Sequence, residues 1–331
     1  MYRYRWNQRI YYIKIECCKI KERMMTMHSY IRAIGFSEYT TKQAMAQLLA
    51  LAEKPDFHIN LEKQDGEMIV ELRKMIAKNM GIAWNGTSSG PNMLDVDYYY
   101  PYVYGQYNNI HEDVTVEKRY SQNAFLGACE DMRVGVSIIF SVQNPMDILP
   151  FYLAGKKLPR FTSVIFSAMS VEGTVLLPIK MSPGDDIRKK QALKRRSNLI
   201  SAARKGDESA MEALTFEDMD TYAKISKRIV TEDVFTIVES SFMPYGLESD
   251  MYSIVADIVN VEKVENTVTG EHVHILTLNY NELMITLAIN EFDLQGEPLV
   301  GRRFKGNIML QGRIILPSNV SGNSGEQKTA K

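Results

Sequence analysis

Gly86-Thr87-Ser88-Ser89-Gly90 matches the G-x-S-x-G pattern. At a sharp strand-to-helix turn, that pattern exposes a serine nucleophile beside an oxyanion hole for acyl transfer. Here Pro91 follows and then an alternating segment, so the helix that the mechanism needs is missing and a hairpin loop is expected. His272 and His274 stand two apart, which on a strand puts both imidazoles on one face, as metal ligands would be. The sequence supplies no evident third ligand, and a solvated strand face is expected instead. Asp95 and Asp97 share the same spacing. Paired carboxylates do acid–base work only when burial or a neighbouring charge displaces one pKa. Both are expected on the wet face of a half-buried strand. No catalytic residue, cofactor or metal is therefore assigned.

Two basic groups could bind rather than react. Arg302-Arg303-Phe304-Lys305 sits where a glycine-rich loop becomes a strand, between Gly296, Gly301, Gly306 and Gly312. An aromatic ring beside cations can stack a base or grip a phosphate. The alternative is that Phe304 points inward to close a small, strongly bent barrel while the glycines permit the bend. Arg188, Lys189, Lys190, Lys194, Arg195 and Arg196 form the densest basic cluster. They suit RNA, an acidic protein or anionic lipid. They equally suit a helix face answered by Asp207, Glu208, Glu212, Glu217, Asp218 and Asp220 downstream. Tyr98 and Tyr100, in the run Tyr98-Tyr99-Tyr100-Pro101-Tyr102-Val103-Tyr104, line a core or offer an aromatic contact platform.

These residues need elements to hold them. Thr40 or Thr41 caps a helix over 40–53 with Ala44, Met45, Leu48, Leu49 and Ala52 on its apolar face. Short strands follow at His58–Leu61 and Met68–Leu72, with 72–80 open to a helical turn, then Gly81–Trp84 and a polar loop at 85–92. Leu94, Val96, Tyr98 and Tyr100 alternate, as do Val134, Val136, Ile138 and Phe140. Phe161–Ala168 and Thr174–Ile179 complete a mostly antiparallel set, because the connections are too short for helical crossovers. A basic helix and an acidic one make a connector, with Phe216, Met219 and Ala223 apolar. Beyond Val234 the chain alternates again, with turns at Asn266–Glu271 and Asn281-Glu282. The fold class is α+β. An α+β domain spans 27–182, a helical connector 183–230 and a small OB-like β-barrel 231–317, followed by a disordered tail at 318–331.

Composition sets the frame. The 331 residues are 45% hydrophobic and 24% charged, ordinary for a soluble globular protein. Three cysteines, two of them adjacent, give no even framework, so a reduced cytoplasm is expected. Seven basic residues against Glu16 and Glu22 put +5 on 1–26, which leaves −6 on 27–331. A mildly acidic body argues against a dedicated nucleic-acid binder. No stretch has a signal peptide's apolar core or a membrane span's length. Met24, Met25 and Met27 make 1–26 read as a start-site artefact rather than an amphipathic arm.

Several segments carry a resemblance. They are Met27–Phe36, Ala203–Ala210, Glu232–Phe235 with Phe242–Gly246, and Gly296–Pro298 through Gln311-Gly312. Together they resemble an uncharacterised family of clostridial-type bacterial cytoplasmic proteins, a domain of unknown function, over nearly all of 27–317. The resemblance supports Met27 as the start and implies no activity, cofactor or site residue. The expected function is a non-catalytic binding or adaptor protein with another protein as partner. Its contact surfaces would be the barrel's Arg302–Lys305 and the tyrosine strand. RNA or single-stranded nucleic-acid binding through the barrel and basic helix is one alternative. A hydrolase of unknown class with its site between the domains is another.

Overall fold

Alternating apolar residues between Phe57 and Val103 build a four-stranded antiparallel meander: β1 (Phe57–Glu62), β2 (Met68–Ala77), β3 (Met80–Gly90) and β4 (Met93–Val103). The computed structural model describes residues 29–63, 65–90, 93–111, 113–119, 124–131, 133–160, 162–179, 185–228 and 238–317. The basic N-terminal extension, residues 180–184 at the expected boundary between domain and connector, and the 318–331 tail lie outside the described residues.

The meander corrects two expectations. β2 continues to Ala77 and β3 to Gly90, where a helical turn and a polar loop were expected, because each pairs along its length with a neighbour. The phase of β4 also changes midway. Asn85 pairs Tyr98 while the next residue, Gly86, pairs Val96, so Asp97 bulges out of the ladder. A β carbon on Gly86 would sit 1.9 Å from Asp95 O, so only glycine permits the bulge. One extra residue exchanges the faces. Leu94, Val96, Tyr99 and Val103 pack into one core, while Tyr98, Tyr100 and Tyr102 face the other way.

The first core lies between the meander and a larger sheet. Helix α1 (Lys42–Ala50) starts at Thr41, whose side chain accepts from Ala44 N at 3.2 Å, and it ends in a 3-10 turn at Leu51–Glu53. Its Met45, Leu48 and Leu49 join Ile31, Ile34 and Phe36 around the 3-10 turn Ser29–Ile34. Met169, Ala288 and Met309 of the larger sheet close this core from the far side. Burying one such leucine or isoleucine stabilises by roughly 1.5–3 kcal/mol.

The larger sheet has twelve strands: β5 (Asn108–His111), β6 (Val114–Lys118), β7 (Phe125–Glu130), β8 (Ser137–Val142), β9 (Thr162–Ser170), β10 (Gly173–Leu176), β11 (Ser241–Pro244), β12 (Met251–Glu265), β13 (His272–Tyr280), β14 (Leu283–Asn290), β15 (Leu294–Gln295) and β16 (Arg303–Ile315). Asn281 and Glu282, both at positive φ (49° and 69°), make the expected two-residue reversal between β13 and β14. The C-terminal strands do not pair among themselves alone. β9 lies between β14, which it meets in parallel, and β16, which it meets antiparallel. β16 also pairs β12, so the path β12–β13–β14–β9–β16 returns to its start, and it continues through β8, β7 and β6. A barrel made of 231–317 alone is therefore not what these pairings describe. The fold is a strand-rich mixture of α and β. Phe140, Phe166, Tyr252 and Phe304 fill the interior of the large sheet.

Two helical features complete the frame. Helix α2 (Pro145–Leu153), absent from the sequence expectation, starts with a proline and buries Met146, Ile148 and Leu149 in the large core. Helices α3 (Asp185–Arg204) and α4 (Glu208–Arg228) form the expected hairpin of basic and acidic arms. Gly206 turns at φ +89°. Asp207 caps α4, accepting from Ala210 N at 3.2 Å and Ser209 Oγ at 2.8 Å. Contact with the body involves an Arg204–Glu130 ion pair and Ile200 beside Gly135.

Candidate functional site

Glu71 and Arg73 are two apart on β2 and so share a face, the one towards Tyr100. Arg73 Nε donates to Glu71 Oε1 at 2.7 Å, Nη1 to Tyr104 OH at 2.7 Å and Nη2 to Gln143 O at 2.7 Å. The guanidinium lies 5.3 Å from the Tyr102 ring centre. Tyr100 OH also donates to Gln143 O, at 2.8 Å, and Tyr98 stacks on Tyr100 with ring centres 6.0 Å apart. Gln143 Nε2 reaches Val103 O and Gln311 Oε1, while Gln311 Nε2 donates to Pro101 O. The result is a polar, aromatic seam between β4 and the large sheet.

Electrostatics in the seam follow from burial. Burial raises the Glu71 carboxyl above the usual range, against Arg73, which lowers it. Burial works against the Arg73 charge, yet Tyr100, Glu71 and Tyr104 around it raise its pKa overall. Burial and Glu71 hold the Tyr100 phenol well above its ordinary value. A displaced carboxyl beside a phenol is a combination found in acid–base sites. A general acid must, however, come within about 3 Å of a substrate proton. Glu71 is 0% exposed and Tyr98 and Tyr100 are 3% and 4% exposed, so these groups present no surface to a ligand. Glu71, Arg73, Gln143 and Gln311 escaped the sequence reading. The available signal was a charged pair at alternate positions inside the stretch Met68–Ile76, which is apolar apart from these two and Lys74.

The basic tetrad is also drawn inward. Phe304 is fully buried, its ring against Gly173 and Gly306. Arg303 is buried too, donating to Leu177 O at 3.0 Å and Val238 O at 2.9 Å. Burial lowers its pKa, while Asp257 and Glu239 raise it. Arg302 and Lys305 are half-buried, and Arg302 Nη1 donates to Glu297 O at 2.7 Å. A cleft of about 310 Å³ lies beside this strand start, lined by Pro178, Ile258, Val300 and Arg303. Arg303 thus clasps two backbone segments to β16.

The remaining candidates stand apart from one another. Ser88 lies in β3 opposite Leu94, with no helix following. Asp95 and Asp97 are exposed. His272 is exposed and His274 is half-buried, 4.0 Å from Glu291, with burial lowering its pKa. Among the described residues no group of three His, Cys, Asp or Glu side chains is placed to hold a metal ion.

On the helical hairpin, Lys194 and Arg195 are exposed as expected of a solvated face. Arg195 reaches Glu217 at 3.3 Å and Arg196 reaches Asp218 at 2.8 Å, so the arms answer each other's charge. Exposed pairs of this kind contribute about 0–1 kcal/mol each. The side chains of Arg188, Lys189 and Lys190 lie outside the described residues. Away from α3, α4 shows Phe216 (70% exposed), Met219 (63%) and Tyr222 (76%), with Met211 (43%) one and a half turns earlier. At 100° per residue these four fall within one arc of about 140°. The sequence reading took Phe216, Met219 and Ala223 as the apolar face of the acidic arm and passed over Met211 and over Tyr222, which continues the i, i+3 spacing of Phe216 and Met219. Among the described residues α4 is the helix with the most exposed large apolar side chains on one face.

The family model described as "Domain of unknown function, E. rectale Gene description (DUF3881)" matches residues 31–312. No curated protein and no solved structure matches the chain.

Proposed function

We propose that this chain, which belongs to the DUF3881 family of unknown function, is a non-catalytic binding protein that engages a protein partner through the outer face of α4. The observation that carries the reading is the exposure of Phe216, Met219 and Tyr222 on one face of a helix. Isolated exposed apolar residues are ordinary, but a contiguous group rimmed by charge marks an interaction surface. Aromatic and methionine side chains are also those that dominate interface energetics.

Other observations lend the reading support. The groups best suited to acid–base chemistry, Glu71 and Tyr100, are enclosed. Burial pushes the Cys129 thiol up to about 12, which leaves it protonated and a poor nucleophile at neutral pH. The circuit of pairings through β9 serves, in this view, as a barrel-like frame on which the hairpin is mounted. Among the described residues no helix is long and apolar enough to cross a membrane, and we set the protein in the cytoplasm on its cysteine usage. Nucleic-acid binding through Arg302–Lys305 has less behind it, since a buried Phe304 offers no face for a base to stack on.

The test is interaction capture with two variants. Wild-type protein is expected to retain a defined protein, either a second copy or a distinct chain, that Phe216→Asp and Tyr222→Asp both release. Saturable turnover of a small substrate that survives both substitutions and is lost in a folded Glu71→Gln variant would sink the proposal.

A further inference from the structure

The charge pattern of α4 says more about what covers its face. Glu208, Glu212, Glu217, Asp218 and Asp220 occupy its first thirteen residues, with no base among them. Lys224, Lys227 and Arg228 occupy its last five, and no acid follows Asp220. Glu208, Glu212, Lys224 and Lys227 are all exposed. Glu217 is turned to the α3 arginines on the side of the helix opposite Met211, Phe216, Met219 and Tyr222, and Asp218, which Arg196 reaches, lies at the edge of their arc.

We propose that the partner of this face is α4 of a second copy of the same chain, packed antiparallel about a twofold axis near Glu217 and Asp218. The inference rests on the reading of α4 as the contact surface and names its occupant. A parallel arrangement would set acid against acid and base against base. An antiparallel one sets Glu208 of one copy, which points along the apolar arc, opposite Lys227 at the rim of the other copy's arc, and the symmetry repeats the match at the far end. The two helix dipoles also oppose each other in this arrangement, as favoured. The apolar residues obey the same symmetry. Reversal about the axis brings Met211 opposite Tyr222 and Ala223, and Phe216 beside Met219, so the stripe meets itself.

Size sets the strength. A helix of 21 residues is about 31 Å long and presents a face about 10 Å wide. Two such faces fall at the small end of specific interfaces, below about 1,200 Å² in total. The dimer is therefore a reversible one, with dissociation in the micromolar range (~1–100 μM) rather than the nanomolar.

Sedimentation of the full chain across concentration tests this. Wild-type protein should pass from monomer to dimer, and Phe216→Asp should remain monomeric. Two charge variants make the test specific: Glu208→Lys, and Lys227→Glu. Each alone should be monomeric, and an equimolar mixture of the two should recover a heterodimer, because each acid–base match is restored. All the altered positions are exposed, and thermal melts of each variant should coincide with wild type. A wild-type chain that stays monomeric to several hundred micromolar overturns the inference. So does a dimer indifferent to Phe216→Asp, or charge variants that do not rescue each other. If the wild type is monomeric yet still captures a different protein that Phe216→Asp releases, the second-copy inference fails while the binding reading stands. If it is monomeric and captures nothing, both fail.

Discussion

The seam between β4 and the large sheet and the outer face of α4 are built from the same side chains, tyrosine with carboxylates and cations. In the seam, Glu71, Arg73 and Tyr100 spend their hydrogen bonds on one another, on Tyr104 and on the backbone carbonyl of Gln143. On α4, Tyr222 and Phe216 touch solvent while Glu212 and Lys227 flank them. Residue type therefore does not separate structural from contact surfaces. What separates them is whether a second layer covers the element. β4 lies under the large sheet, whereas α4 is tied down mainly along its α3 side. The Arg303 clasp belongs with the seam in this respect, since its guanidinium is satisfied by the carbonyls of Leu177 and Val238.

The comparison is broken most forcefully inside the seam. Arg73→Met leaves the Glu71 carboxyl buried without its cation, and loss of one partner of such a pair costs about 3–5 kcal/mol. Urea titration should show that loss, and Glu71→Leu with Arg73→Met should recover most of it. A pH series sharpens the assignment. Glu71 has its folded pKa raised, so the folded state holds that proton more tightly than the unfolded one. Its contribution favours folding below the ordinary carboxyl value of about 4.3 and is lost as pH rises through the raised folded value. Removing Arg73 removes an interaction that lowers this pKa, so the gap between variant and wild type should widen from pH 4.5 to pH 7.5. A gap that narrows would contradict the placement of Glu71.

Smaller effects follow in order. Gly86→Ala puts a β carbon against Asp95 O at the bulge and should cost about 1–3 kcal/mol by the same titration. Glu282→Gly should instead stabilise by about 1 kcal/mol, because Glu282 holds φ at 69°, where an L side chain is strained. Phe216→Ser on α4 should change stability by less than about 0.5 kcal/mol, as exposed substitutions do, while abolishing association. A large loss of stability there would mean that the face is packed against the body.

Local features were legible in the sequence because local chemistry sets them. The Thr41 cap and the turn around Gly270 formed as their residue types dictate, and the Asn281-Glu282 reversal formed where the alternation on either side placed it. The opposite charges of the helical arms anticipated the Arg195–Glu217 and Arg196–Asp218 pairs. The bulge at Asp97 was not legible. Alternation reads correctly on either side of it and in opposite phase across it, so Leu94 and Val96 were aligned with Tyr98 and Tyr100 although they face apart. The insertion of β9 between β14 and β16 was hidden too, because pairing across more than a hundred residues leaves no local periodicity. Helix α2 is nine residues long and has Pro150 within it, which weakens every helical signal. For the candidate site, the apolar spacing of Phe216 and Met219 was visible. Its exposure was not, since an amphipathic helix reads the same whether its stripe faces its own core or another molecule.

The most direct test is hydroxyl-radical footprinting of the full chain at low and high protein concentration, read at Met211, Met219 and Tyr222 and at Tyr98 and Tyr100. The α4 residues should be modified readily in dilute solution and protected as concentration rises, while Tyr98 and Tyr100 stay unmodified throughout. Modification of Tyr98 and Tyr100 with α4 protected at every concentration would contradict the account, because it would make the seam the open surface and the helix face the closed one.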